Sequence, residues 1–163
     1  GILVENGWLR ILGSGSCLLP RDLVSWNEGY NDSEPRIKGA MLIADDAAGG
    51  FFVLNGGSLE SDMGTVHYFA PDTLKWECLH MQYPDFLYWV CSGNLKQFYE
   101  KIRWDGWMQE IMSIDGDKGI LVYPYHWSEG EELSKRSRSV MPIDELWNVH
   151  LFYSEQFGYT PSI

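Results

Sequence analysis

Residues 40–55 read Ala40-Met41-Leu42-Ile43-Ala44-Asp45-Asp46-Ala47-Ala48-Gly49-Gly50-Phe51-Phe52-Val53-Leu54-Asn55. Ala40 to Ala44 is an apolar run of strand length, and Phe51 to Leu54 is another. The segment between them carries residues that bend a chain. Carboxylates bond nearby backbone amides, and glycines accept dihedrals that other residues avoid. Two such runs joined by a tight turn predict a hairpin, and so an antiparallel sheet.

Working outward, Val66, Tyr68 and Ala70 alternate with Thr65, His67 and Phe69, the period of a strand. Pro71-Asp72 turns the chain into Thr73 to Leu79, which also alternates. Residues 38–79 therefore predict a meander of antiparallel strands. Upstream, Glu5-Asn6-Gly7 separates Ile2–Val4 from Trp8–Leu12, and Asn-Gly between apolar runs signals a hairpin. Gly13-Ser14-Gly15-Ser16 lacks the Lys-Ser/Thr of a phosphate loop and reads as a plain loop, with Arg10 and Arg21 the nearest cations. Leu18 to Asn27 predicts a short helix opened by Pro20, and Asn31 to Pro35 a polar loop.

Downstream the period changes to that of helices. Tyr83 to Cys91 carries Phe86, Leu87 and Val90 at helical spacing, and Leu95, Phe98, Tyr99 and Ile102 repeat it. Trp107 to Ile114 fits helix and strand equally. Gly119 to Tyr123 reads as a strand, and 128–139 as polar loop. The last helix is clearest. Pro142 opens it, Asp144 and Glu145 occupy its first turn, and Gly158 closes it. Ile143, Leu146, Trp147, His150, Leu151, Ser154 and Phe157 form its apolar stripe. The expected class is α+β, a mostly antiparallel twisted sheet with helices packed on it, as one domain over 1–163.

The net charge of −11 is shared by both halves of the chain. Such a surface repels nucleic-acid backbones and anionic membranes and favours a basic protein partner. Eight tryptophans supply core and interface anchors alike. Cys17, Cys78 and Cys91 are odd in number and widely spaced, which argues against a disulfide framework or zinc ribbon. Reduced, buried thiols in a cytoplasm, with no membrane association, are the expectation.

The stretches GWLRILGSG, LPRDLVSWN, IADDAAGGFFVLNGG, YFAPDTLKWE and GWMQEI resemble the bacterial domain-of-unknown-function family 2625 over nearly the whole chain. The wider order of segments resembles the SUKH superfamily, named for fungal cell-wall regulators and herpesvirus proteins. Three expectations follow from resemblance alone. The fold is α+β, the chain lacks an upstream N-terminal segment that the family usually carries, and the function is that of an immunity protein neutralising a toxin.

The sequence itself offers little chemistry. Asp45 and Asp46 are the most tempting pair. Consecutive strand residues point to opposite faces, however, so the two carboxylates would not converge on a metal, and shaping and solvating the turn is the simpler role. Asp115-Gly116-Asp117-Lys118-Gly119 lacks the oxygens of a calcium loop. His67, His80, His126 and His150 form no HxH or HExxH, and His150 falls on an apolar stripe. Rings cluster at Trp104-Asp105-Gly106-Trp107 and Tyr123-Pro124-Tyr125-His126-Trp127. Glu129, Glu131 and Glu132 lie close by in the chain.

The expectation is a non-catalytic protein-binding module without cofactor or metal. Its partner-binding candidates are Asp45, Asp46, Trp104, Asp105, Trp107, Tyr125 and Trp127. Two alternatives stay open: a small-ligand binder or enzyme with a pocket near Asp45 and Asp46, and a self-assembling scaffold.

Overall fold

The computed structural model describes residues 1–28 and 34–159. Six strands form one sheet: β1 (Ile2–Val4), β2 (Leu9–Ile11), β3 (Ala40–Asp46), β4 (Phe51–Asn55), β5 (Thr65–Ala70) and β6 (Lys75–Gln82). Their spatial order is their chain order, and every neighbouring pair is antiparallel. The expected meander over 38–79 is present, preceded by the Glu5–Gly7 hairpin, where Glu5 and Asn6 adopt positive φ. A second sheet pairs β7 (Lys118–Tyr123) with β8 (Ser137–Pro142). The helices are α1 (Leu23–Asn27), α2 (Tyr83–Ser92), α3 (Leu95–Phe98), α4 (Trp107–Ile111) and α5 (Ile143–Gln156).

The architecture is the expected α+β, with several corrections in detail. Pro20 does not open the first helix. Asp22 caps it instead, accepting from the Val24 and Ser25 amides at 3.0 Å each. Residues 107–111 resolve as helix. Residues 137–139, the end of the stretch expected as polar loop over 128–139, belong to β8, because Ser137, Arg138 and Ser139 give this half-exposed strand too polar a pattern to signal. Of the polar loop expected over 31–35, residues 31–33 lie outside the described residues.

The period-two pattern buries both faces of the main sheet. Phe52, Val66, Tyr68 and Ala70 face a core closed by Phe86, Val90, Leu95, Tyr99 and Ile111. Leu42, Phe51, Val53 and Phe69 face a second core closed by Trp26 of α1 and by Ile143, Leu146 and Trp147 of α5. A register shift between Leu42 and Ala44 lets Ile43 and Ala44 share the first core. The β7–β8 hairpin meets the main sheet at the 47–50 turn, where the Ile120 amide donates to the Ala47 carbonyl at 2.7 Å.

Candidate partner-binding surface and the buried acidic turn

The acidic turn is interior. Asp45 and Asp46 are fully buried, so neither is open to a partner, and neither solvates the turn as expected. They do point to opposite faces. Asp46 accepts from the Ala48 and Gly50 amides at 2.9 Å and from the Tyr68 hydroxyl at 2.7 Å. Burial raises its pKa, and the Tyr68 and Gly50 hydrogen bonds oppose that rise. Gly50 is required here: a Cβ on it would lie 2.1 Å from Asp46 Oδ2 and 2.3 Å from the Tyr68 hydroxyl.

Asp45 receives two arginines. Arg10 Nε lies 2.8 Å from its Oδ1, and Arg21 Nη1 and Nη2 bond its two oxygens at 2.6 and 3.2 Å. A buried ion pair persists when its remaining hydrogen bonds are supplied. The Lys118 carbonyl accepts from Arg10 and the Gly116 carbonyl from Arg21. The pairing follows from register, since Arg10 sits directly opposite Asp45 across the β2–β3 ladder.

Trp104, Asp105 and Trp107 come together beside a cleft of about 750 Å³ that also includes Glu5, Gln97 and Arg103. Trp104 is buried, with its indole N–H on Glu110 Oε1 at 3.2 Å, and Arg138 holds Glu110 in turn. Arg103 pairs with Glu5 and lies over Trp107, Trp8 and Tyr99 at 4.0, 4.7 and 4.7 Å from the ring centroids. Asp105 is exposed and Trp107 half-buried.

Tyr125 and Trp127 lie elsewhere, stacked on each other at 4.3 Å with ring planes 12° apart. Tyr153 of α5 packs against both, at 5.2 and 5.3 Å. Tyr123 (60% exposed), Phe152 (55%), Phe157 (48%) and Tyr159 (43%) extend this surface. Between Tyr125 and Trp127, His126 turns inward, bonding the Ile102 carbonyl at 3.0 Å and approaching the Trp104 ring at 6.4 Å. One inward imidazole thus joins the two aromatic groups. Burial holds its pKa down at about 4, so it stays neutral at physiological pH.

The face made by β7, the 123–127 segment and α5 has acidic surroundings. Glu129, Glu131, Glu132 and Glu155 are exposed. Asp72 and Lys75 join Trp127, Phe157 and Tyr159 around a depression of about 360 Å³. Lys75 Nζ lies 4.2 Å over the Tyr159 ring, so this face already engages one cation through its π-surface.

Sequence reasoning placed Phe157 on the buried stripe, but it lies on this exposed face. The paired Phe152-Tyr153 with Phe157 was the available signal, because it gives α5 more rings than one buried stripe uses. Cys17 and Cys91 are exposed rather than buried, and Cys78 Sγ lies 3.7 Å from His80 Nδ1. His150, as expected, is a core residue, with Nδ1 2.9 Å from the Gly49 carbonyl. Among the described residues no three His, Cys, Asp or Glu side chains stand together as a metal site, and no helix is long and apolar enough to cross a membrane.

Comparison with known proteins places this arrangement in a family. The chain is 45% identical over 159 residues to "Putative uncharacterized protein YbfG" of Escherichia coli (strain K12), covering 96% of this chain and 70% of that protein. It is 42% identical over 159 residues to an "Uncharacterized protein" of Haemophilus influenzae (strain ATCC 51907 / DSM 11121 / KW20 / Rd), covering 97% of this chain and 68% of that one. No solved structure matches it. The model of the family "Protein of unknown function DUF2625" matches residues 1–146, and the chain belongs to that family.

Proposed function

We propose that this chain is a non-catalytic protein-binding module that takes a basic protein partner on its exposed aromatic face. The observation that carries this reading is the Tyr125–Trp127–Tyr153 cluster continued by exposed Tyr123, Phe152, Phe157 and Tyr159. Exposed rings that are already rigidly packed offer large contact area at little entropic cost, as interface anchors do. The net charge of −11 and the exposed glutamates speed and orient the approach of a cationic partner. Engagement of Asp45 and Asp46 in the fold supports a non-catalytic reading. The finer assignment is a cytoplasmic immunity-type protein of SUKH kind, which neutralises a toxin by covering its working surface. It rests on the sequence resemblance.

The test is direct binding to a purified, catalytically inactive basic toxin domain, measured by calorimetry at low and high salt. Phe157→Ala and Tyr123→Ala, at exposed positions, are expected to weaken binding at least about tenfold each, a typical cost for anchor residues. Their unfolding midpoints should stay at the wild-type value. Affinity that ignores both substitutions and salt would refute this face as the interface. Light scattering that shows a stable dimer through the same face would favour self-assembly instead.

A further inference from the structure

Two guanidiniums share one carboxylate beneath β2. Arg10, 1% exposed, and Arg21 both contact Asp45, while Asp46 faces the other side of the sheet and is held by Tyr68 and the turn amides. Arg10 Nη2 is buried and finds no hydrogen-bond partner among the described residues. A cation in excess and an unmet donor are both costly in an interior, and native proteins rarely leave either without a purpose.

A cavity of about 310 Å³ reaches this cluster, with Arg10 and Gly116 both in its lining. Leu3, Leu18, Ile111 and Ile114 make much of the rest of its wall apolar. The volume sits at the lower end for ligand sites, which limits the occupant to a small molecule. Planar guanidinium N–H groups match a carboxylate, whereas apolar walls disfavour a strongly hydrated phosphate or sulfate. Exposed Asp115 also lines the cavity and repels a second negative charge. We infer that this cavity is a binding site for a short aliphatic monocarboxylate, read by the Arg10 guanidinium in its lining and by the apolar walls along its chain. The site lies apart from the aromatic face and does not depend on the reading of that face.

Cys17, exposed and part of the same lining, reports occupancy in the unaltered protein. The probe is hexanoate, with hexanamide as its uncharged counterpart. Iodoacetamide labelling of Cys17 is followed by mass spectrometry, with exposed Cys91 on α2 as the internal reference. At hexanoate about ten times its dissociation constant, Cys17 labelling should slow about tenfold, because only the free fraction reacts. Cys91 should label at an unchanged rate, and hexanamide should protect neither. Leu18→Trp, at an exposed lining position, should abolish the protection without altering the fold. Arg10→Gln should also abolish the protection. If that variant does not fold, the hexanoate and hexanamide pair on the wild-type protein still decides. Equal protection by hexanamide, or an unchanged Cys17 rate in hexanoate, would overturn the assignment.

Discussion

Replacing Asp45 by Asn removes one charge and almost no volume, and the structure fixes what that should cost. The Asp45 side chain is 0% exposed, Arg10 1% and Arg21 10%, so solvent screening offers little relief. Breaking a buried ion pair by deleting one partner costs about 3–5 kcal/mol, because the remaining charge stays in the interior. Asparagine keeps one acceptor oxygen for Arg10 or Arg21, which sets the expectation near the lower bound, about 3 kcal/mol. Two cations then lose the one carboxylate that both contact, so the loss cannot be much smaller. By contrast, the Lys38–Glu34 pair, 60% and 72% exposed, should contribute about 0–1 kcal/mol and serves as the control. Urea unfolding at neutral pH measures both. With a slope near about 2 kcal/mol per molar, Asp45→Asn should lower the midpoint by about 1.5 M with the slope unchanged. Added salt should not restore it, since the charges lie out of reach of the ionic atmosphere. A midpoint within about 0.3 M of wild type would refute the reasoning, because the two arginines would then have to be satisfied without Asp45.

Acid sensitivity should come in part from buried histidines. Burial holds His150 at about 3 and His126 at about 4, against about 6.5 in the unfolded chain. As pH falls from about 6.5 toward 4, the unfolded chain binds protons that the folded chain refuses, so stability drops through that window. His150→Gln should flatten the fall by up to about 1.4 kcal/mol per pH unit, read from urea midpoints across the window, and an undiminished slope would contradict the assignment. Gly50→Ala places a Cβ 2.1 Å from Asp46 Oδ2 and 2.3 Å from the Tyr68 hydroxyl, two buried side chains locked by their mutual hydrogen bond that cannot yield cheaply. It should destabilise by more than about 3 kcal/mol, where Gly64→Ala, with open space around it but φ at +84°, should cost only about 1 kcal/mol by the same measurement.

What the sequence made legible was periodic. The meander over 38–79 could be read because its strands alternate or run continuously apolar between turn residues. The last helix showed because Ile143, Leu146, Trp147 and His150 repeat at helical steps. The β8 strand escaped for the opposite reason: Arg138 and its serine neighbours present polar groups on a half-solvated ribbon. The acidic turn was located correctly, but its burial was hidden in long-range partners. Arg10 meets Asp45 only through the β2–β3 register, and Tyr68 meets Asp46 only through the β3–β4 and β4–β5 registers together. A lone arginine between Leu9 and Ile11 in a short apolar strand was the available hint, since such a residue must find a carboxylate when buried. The ring-bearing turns at 104–107 and 123–127 were legible as local clusters. The inward turn of His126 that joins them was not, because it depends on the Ile102 carbonyl, 24 positions away.

Because strand order follows chain order, the main sheet can be laid down hairpin by hairpin as the polypeptide leaves the ribosome. The surface bearing Leu42, Phe51, Val53 and Phe69 nonetheless remains incompletely roofed until residues 143–156 emerge and α5 settles on it. The same segment brings Phe152, Tyr153 and Phe157 to the exterior. An interrupted translation product would therefore display a bare interior and an incomplete aromatic face together, marking it for chaperones or proteases before it could engage anything else.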